Sequence, residues 1–143
     1  MKDELIVFSK PKSNISEDIR TIRTNLKFTA NDDAKVLLVT SSVPGEGKSF
    51  ISANLAAAFA QTGEKVLLVD ADLRLGRVHK IFNQSAAKGF SNMLISGTSE
   101  DLPEYIKKTT IPNLYIVSRG TVPPNPSELL NSSSCKKLVN IFR

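Results

Sequence analysis

Two continuous apolar runs, KVLLVTS at 35–41 and EKVLLVDAD at 64–72, constrain this chain more than any other feature. Both are rich in β-branched residues and lack the polar alternation of a half-solvated strand. Such runs predict strands covered on both faces, as in a parallel sheet. Between them, 48–61 reads as a helix with Ile51, Leu55, Ala58 and Phe59 apolar, closed by Gly63. Strand, loop, helix and strand in that order form a right-handed βαβ unit. The fold class is therefore α/β, a parallel sheet with flanking helices.

The loop inside this unit is TSSVPGEGKSF, 40–50. A phosphate loop has the pattern G-x-x-x-x-G-K-[ST] between a strand and a helix. Gly45, Gly47, Lys48 and Ser49 match it, and Ser42 stands where the first glycine is expected. Glycine allows the backbone N–H groups to curl round an anion, and the following helix offers free donors and a positive dipole end. Lys48 can reach phosphate oxygens, and the Ser49 hydroxyl can ligate Mg²⁺. Pro44 stiffens the turn. The candidate nucleotide-binding residues are thus Pro44, Gly45, Glu46, Gly47, Lys48, Ser49 and Phe50. Asp70 and Asp72 end the second run, at the strand edge where open parallel sheets bind ligands. Two carboxylates beside a polyphosphate repel it unless a metal intervenes, so they suit Mg²⁺ ligation through water or a base role. Alternatively they cap the next helix.

The remaining chain supplies companions for this unit. Residues 1–13 read as a flexible arm, and 14–143 as the domain. From Asn14, with Glu17 three residues on as in a capping box, Ile15, Ile19, Ile22 and Leu26 share one helical face. GRVHKIF and GFSNMLIS read as short helices, SEDLPEYIKKT as a helix or turn, and NLYIVS (113–118) as a third strand. RGTVPPNP is a proline-rich loop, followed by a helical segment broken near its serines. The single cysteine, Cys135, supports no disulfide framework, and with one histidine, His79, a Cys–His nucleophile has no basis. The net charge of +5 comes without long Lys/Arg blocks, and aromatics are 6%, which argues against a nucleic-acid partner. No apolar stretch reaches a membrane-spanning length of roughly 18 residues. A cytoplasmic location is expected.

Four stretches in order resemble the bacterial tyrosine kinases of capsule and exopolysaccharide synthesis, a P-loop NTPase-like family. EDIRTIRTNLKF is similar to that family's E-x-x-R-x-x-R helix through Glu17, Arg20 and Arg23. SSVPGEGKS resembles its Walker A motif, in which serine at the first position is usual. VLLVDADLRLGRVHKIF resembles Walker A′, and GTVPPNPSELLNS its proline-rich segment. The resemblance implies an autophosphorylating protein-tyrosine kinase using ATP and Mg²⁺. Lys48 would clamp phosphates, Asp70 would act as base, and Ser49 and Asp72 would serve the metal. The split between the two aspartates stays open. Implied partners are protein tyrosine substrates, a membrane-embedded activator that holds the kinase at the inner membrane face, and further copies of the chain through Glu17, Arg20 and Arg23.

The family's Walker B strand and tyrosine-rich tail find no counterpart up to Arg143, and only Tyr105 and Tyr115 are present. The expectation is an incomplete domain with its C-terminal part missing and little turnover. Without that strand, 35–39 is expected to expose an edge and apolar faces. One alternative is a ParA/MinD-like ATPase, but the extra lysine of that group falls on Val43. The other is a nucleotide-binding regulatory module without kinase turnover.

Overall fold

A computed structural model of the chain describes residues 3–30, 35–96 and 101–143. At its centre, strands β1 (Val66–Val69) and β3 (Leu114–Val117) run parallel, with Val66 opposite Leu114 and Val69 opposite Val117. A two-residue strand, β2 (Lys107–Lys108), lies antiparallel on the other edge of β3, giving the order β1-β3-β2. Sequence reasoning missed β2, because two residues carry no readable period.

Alternation along the two main strands builds a core on each face. Leu114 and Ile116, with Val66 and Leu68, join a cluster with Ala53, Ala57 and Ala58 of helix α3 (Lys48–Ala60). Val117, with Leu67 and Val69, joins Phe90, Met93 and Leu94 of α5 (Phe90–Ser96) and Leu138 of α8 (Ser133–Phe142). The strands are thus covered on both faces, as their unbroken apolar runs require. The other helices are α1 (Ile6–Ser9), α2 (Asn14–Thr29), α4 (Val78–Ile81), α6 (Leu102–Tyr105) and α7 (Pro126–Leu130).

The structure corrects three sequence expectations. First, 35–41 forms no strand. Val36, Leu37 and Leu38 are 55%, 51% and 82% exposed. A strand needs a partner for its N–H and C=O groups, and among the described residues none pairs with this run. The expected exposure of its apolar faces is present, and the βαβ unit is observed only from its helix onward.

Second, the N-terminal segment is docked rather than loose. Leu5 and Val7 are buried in the α3 cluster. The buried Asn54 of α3 holds the segment by its backbone: its Oδ1 accepts from Val7 N at 3.2 Å, and its Nδ2 donates to Glu4 O at 2.8 Å. Ser16 Oγ lies within hydrogen-bonding distance of the carbonyls of Ile6 and Lys10. Asn54→Ala strands the buried Val7 N–H and removes this clamp. It should lower stability by about 1–3 kcal/mol, read from urea unfolding, and expose 3–13 to proteolysis.

Third, Ser13, not Asn14, caps α2. Its hydroxyl accepts from Ser16 N, and Asn14 is already the first helical residue. Serine serves as well as asparagine in this position, so the boundary moves by one residue.

Candidate active site

The glycine loop leads directly into α3. Gly45 and Gly47 adopt φ of +83° and +90°, the left-handed region that disfavours side chains. The space around both is open. Gly47 is the N-cap of α3 and offers no side chain to its first-turn amides. The first half of the loop is braced from within. Glu46 Oε2 accepts from Ser42 N at 2.9 Å and Val43 N at 3.4 Å, and Ser41 Oγ donates to Val43 O at 3.1 Å. The result is a cavity of about 300 Å³ lined by Val39, Thr40, Ser41, Ser42, Glu46, Gly47, Lys48 and Ile51.

The second half of the site comes from the end of β1. Val117 O accepts from Asp70 N at 2.9 Å, which fixes the strand end. Asp70 is 5% exposed, and its two oxygens accept from Asp72 N (3.2 Å) and Val78 N (3.1 Å). Gly76 packs so closely on this carboxylate and on Asp72 O that a Cβ there would collide with both. Burial raises the Asp70 pKa; the two amides pull it back and the Asp72 charge raises it further. Asp70 therefore also fills the capping role weighed for it, at the start of α4.

Asp72 differs. Its Oδ2 meets Lys48 Nζ at 3.0 Å and its Oδ1 accepts from Leu75 N at 3.0 Å, with both charged side chains partly solvated. Burial acts to raise its pKa, but the Leu75 amide and the Lys48 ammonium outweigh that and hold it below the usual value. The structure thus brings Lys48 and Asp72 together. Glu46, Gly47 and Lys48 line the cavity, whereas Pro44, Gly45, Ser49, Phe50, Asp70 and Asp72 are outside its lining. Ser49 and Phe50 are half-buried in the first turn of α3, with the Phe50 carbonyl accepting from Asn54. Arg20 and Arg23 of α2 are engaged within the chain, donating to Pro11 O and Ala58 O at 2.7 Å each, while Glu17 is exposed.

The donor set fits a magnesium nucleotide. An uncapped helix N-terminus and open glycines suit phosphate. A serine hydroxyl and a charged carboxylate are hard oxygen ligands, too few for a dedicated cage. Among the described residues no three potential His, Cys, Asp or Glu ligands converge. Mg²⁺ tolerates this because it keeps waters and binds through one or two carboxylates plus phosphate. Sequence reasoning missed Gly76 and Arg119. The spacing of Gly76 from the two aspartates was a usable signal; Arg119, just past β3, gave only its place at the ligand-binding edge of the sheet.

Residues 37–142 match the CobQ/CobB/MinD/ParA nucleotide binding domain, and the chain belongs to that family. The proteins it is similar to include tyrosine-protein kinases of bacteria. Tyrosine-protein kinase YwqD of Bacillus subtilis (strain 168) is 42% identical over 139 residues, covering 96% of this chain and 58% of its own length. The crystal structure of the chimerical protein CapA2B2 superposes with a TM-score of 0.90 at 41% identity, over 98% of this chain and 61% of that one. The kinase domain of Escherichia coli tyrosine kinase ETK gives 0.89 at 34%, over 96% and 54%. This chain therefore spans about three-fifths of the length of YwqD and CapA2B2. Among the described residues no helix is long and apolar enough to cross a membrane.

Proposed function

We propose that this chain is the nucleotide-binding part of an ATP-dependent, autophosphorylating protein-tyrosine kinase that regulates capsular or extracellular polysaccharide synthesis. The observation that carries the proposal is the pairing of Lys48 on the phosphate loop with the charged Asp72 at the end of β1. ATP with Mg²⁺ supplies, when bound, the phosphoryl group and the neutralisation of its charge. Lys48 would exchange Asp72 for phosphate oxygens. The Ser49 hydroxyl, and Asp72 through water, would then hold the metal. Pro44, Gly45, Glu46, Gly47 and Phe50 shape the loop around the phosphates. Asp70 is given the base role for the tyrosine hydroxyl by its place just past the end of β1, at the ligand-binding edge of the sheet. The same carboxylate holds the turn into α4.

The partners proposed are protein tyrosine substrates, a membrane-embedded activator that keeps the kinase at the inner face of the plasma membrane, and further copies of the chain through Glu17, Arg20 and Arg23. A guanidinium has five donors, so the bonds to Pro11 and Ala58 leave capacity for a neighbour. Arg20→Ala with Arg23→Ala should reduce the mass in solution measured by light scattering. An unchanged mass would remove the oligomer assignment.

The functional test is incubation of the full-length protein with γ-labelled ATP, Mg²⁺ and a tyrosine-containing acceptor. Label in phosphotyrosine supports the kinase. Release of labelled phosphate with none in tyrosine overturns it in favour of a ParA/MinD-like ATPase; binding without either product favours a regulatory module.

A further inference from the structure

We infer that Arg119 is a positioning residue that holds the metal-facing loop 70–77 in place from the neighbouring strand. Its anchorage is unusually well fixed. Arg119 lies two residues past the end of β3, and its own carbonyl accepts from Ser91 N at 2.9 Å. The following turn is locked to α5. Thr121 O accepts from Ser91 Oγ at 2.6 Å, and Asn92 Oδ1 accepts from both Gly89 N and Thr121 N. Gly120, at φ +83°, packs on Ser91 Oγ and Asn92 Oδ1 so tightly that no Cβ fits.

From this base the half-buried side chain crosses to the loop, where Nη1 donates to Arg74 O at 3.0 Å. That carbonyl is two residues beyond Asp72. The charge of Arg119 also acts on Asp70, offsetting part of the cost of burying its carboxylate.

Among the described residues, three other polar ties reach this loop from outside it and α4: the Asp70 N–H to Val117 O at its first residue, Lys48 to Asp72, and Glu4 to Arg77 at 2.7 Å. On the reading proposed above, on which this inference rests, Lys48 leaves Asp72 when a nucleotide binds. Glu4–Arg77 lies at the far end of the loop and is substantially exposed, so it contributes little. The Asp70–Val117 bond and the Asp70 carboxylate hold the loop before Asp72, and Arg119 is then the side-chain tie that holds it just beyond Asp72, in position for the metal.

The test is calorimetric titration of the full-length protein with ADP, with and without Mg²⁺. Arg119→Ala should weaken binding of Mg²⁺·ADP about tenfold, the scale of one charge-assisted hydrogen bond. Metal-free ADP affinity, set by the phosphate loop, should stay within about twofold. Arg119→Lys, which keeps a charged donor, should recover most of the loss. Equal weakening with and without Mg²⁺, or no weakening at all, overturns the inference. If Arg119→Ala does not fold, Arg119→Lys and Arg119→Gln decide. A Mg²⁺-specific loss that is larger for Gln supports the strut, and wild-type affinity in both overturns it. Wild-type protein that binds no ADP under either condition sinks the nucleotide reading itself, a result distinct from variants that bind as wild type does.

Discussion

Lys48→Met should reduce affinity for Mg²⁺·ATP by about 100-fold or more, measured by calorimetry, and abolish the rise in melting temperature that nucleotide gives the wild type. The side chain offers a point charge with three donors to the phosphates, and each charge-assisted bond is worth roughly 1.5–3 kcal/mol. The substitution should cost the empty protein little. Lys48–Asp72 is a partly solvated pair, and such pairs contribute about 1 kcal/mol or less. A large loss of binding with a near-normal melting temperature separates a functional lysine from a structural one. Unchanged nucleotide affinity would remove the phosphate-loop assignment.

Gly89→Ala should destabilise the fold more than either Asn54→Ala or Lys48→Met. A Cβ at Gly89 meets Gly120 N and Ser118 O, both backbone atoms, as well as Ser118 Oγ. No side-chain rotation relieves a collision with main chain, so β3's exit turn and the start of α5 must separate. Phe90 N donates to Ser118 O at 2.7 Å across this junction. Overpacking of this kind costs typically about 1–3 kcal/mol, and more where backbone must move. A loss of about 3 kcal/mol or greater is expected in urea unfolding. Gly63→Ala is the contrast: φ is +90° but the space is open. Its cost is therefore conformational and should be about 1 kcal/mol. Equal effects at the two positions would contradict the packing described.

The pentapeptide KVLLV shows how far local sequence reaches in this chain. It occurs at 35–39 and again at 65–69. The second copy provides β1, paired with β3 and covered on both faces. The first, with the same residues, forms no strand and leaves Leu38 82% exposed. Propensity is identical in the two copies, so pairing and cover decide between them. Helix α3 was legible because its apolar positions, entry glycine and closing Gly63 agree. Docking of Leu5 and Val7 was not, since it depends on Asn54, a polar residue far along the chain that satisfies backbone groups at 4 and 7. No period within 1–13 records that.

The site divides the same way. The glycine pattern pointed to the loop whose Glu46, Gly47 and Lys48 line a cavity, while the strand-end aspartates lie outside that lining and reach it through the Lys48–Asp72 pair. Spacing alone could not distinguish the two aspartates. Their surroundings in the fold differ: Asp70 is enclosed by amides and Gly76, while Asp72 stays partly solvated against Lys48. Arg119 escaped notice because its meeting with Arg74 spans 45 residues, and no local motif encodes a contact at that range.

On the proposed function, the phosphate loop would hold the nucleotide and Asp72 would serve its metal. Titration of the wild-type full-length protein with ADP, in Mg²⁺ and then in chelator, tests this most directly. The expected result is saturable binding that strengthens at least about tenfold with Mg²⁺, as one added charge-compensated contact gives. Identical affinities with and without Mg²⁺ would contradict the metal-facing role of Asp72, and no binding in either condition would contradict the site.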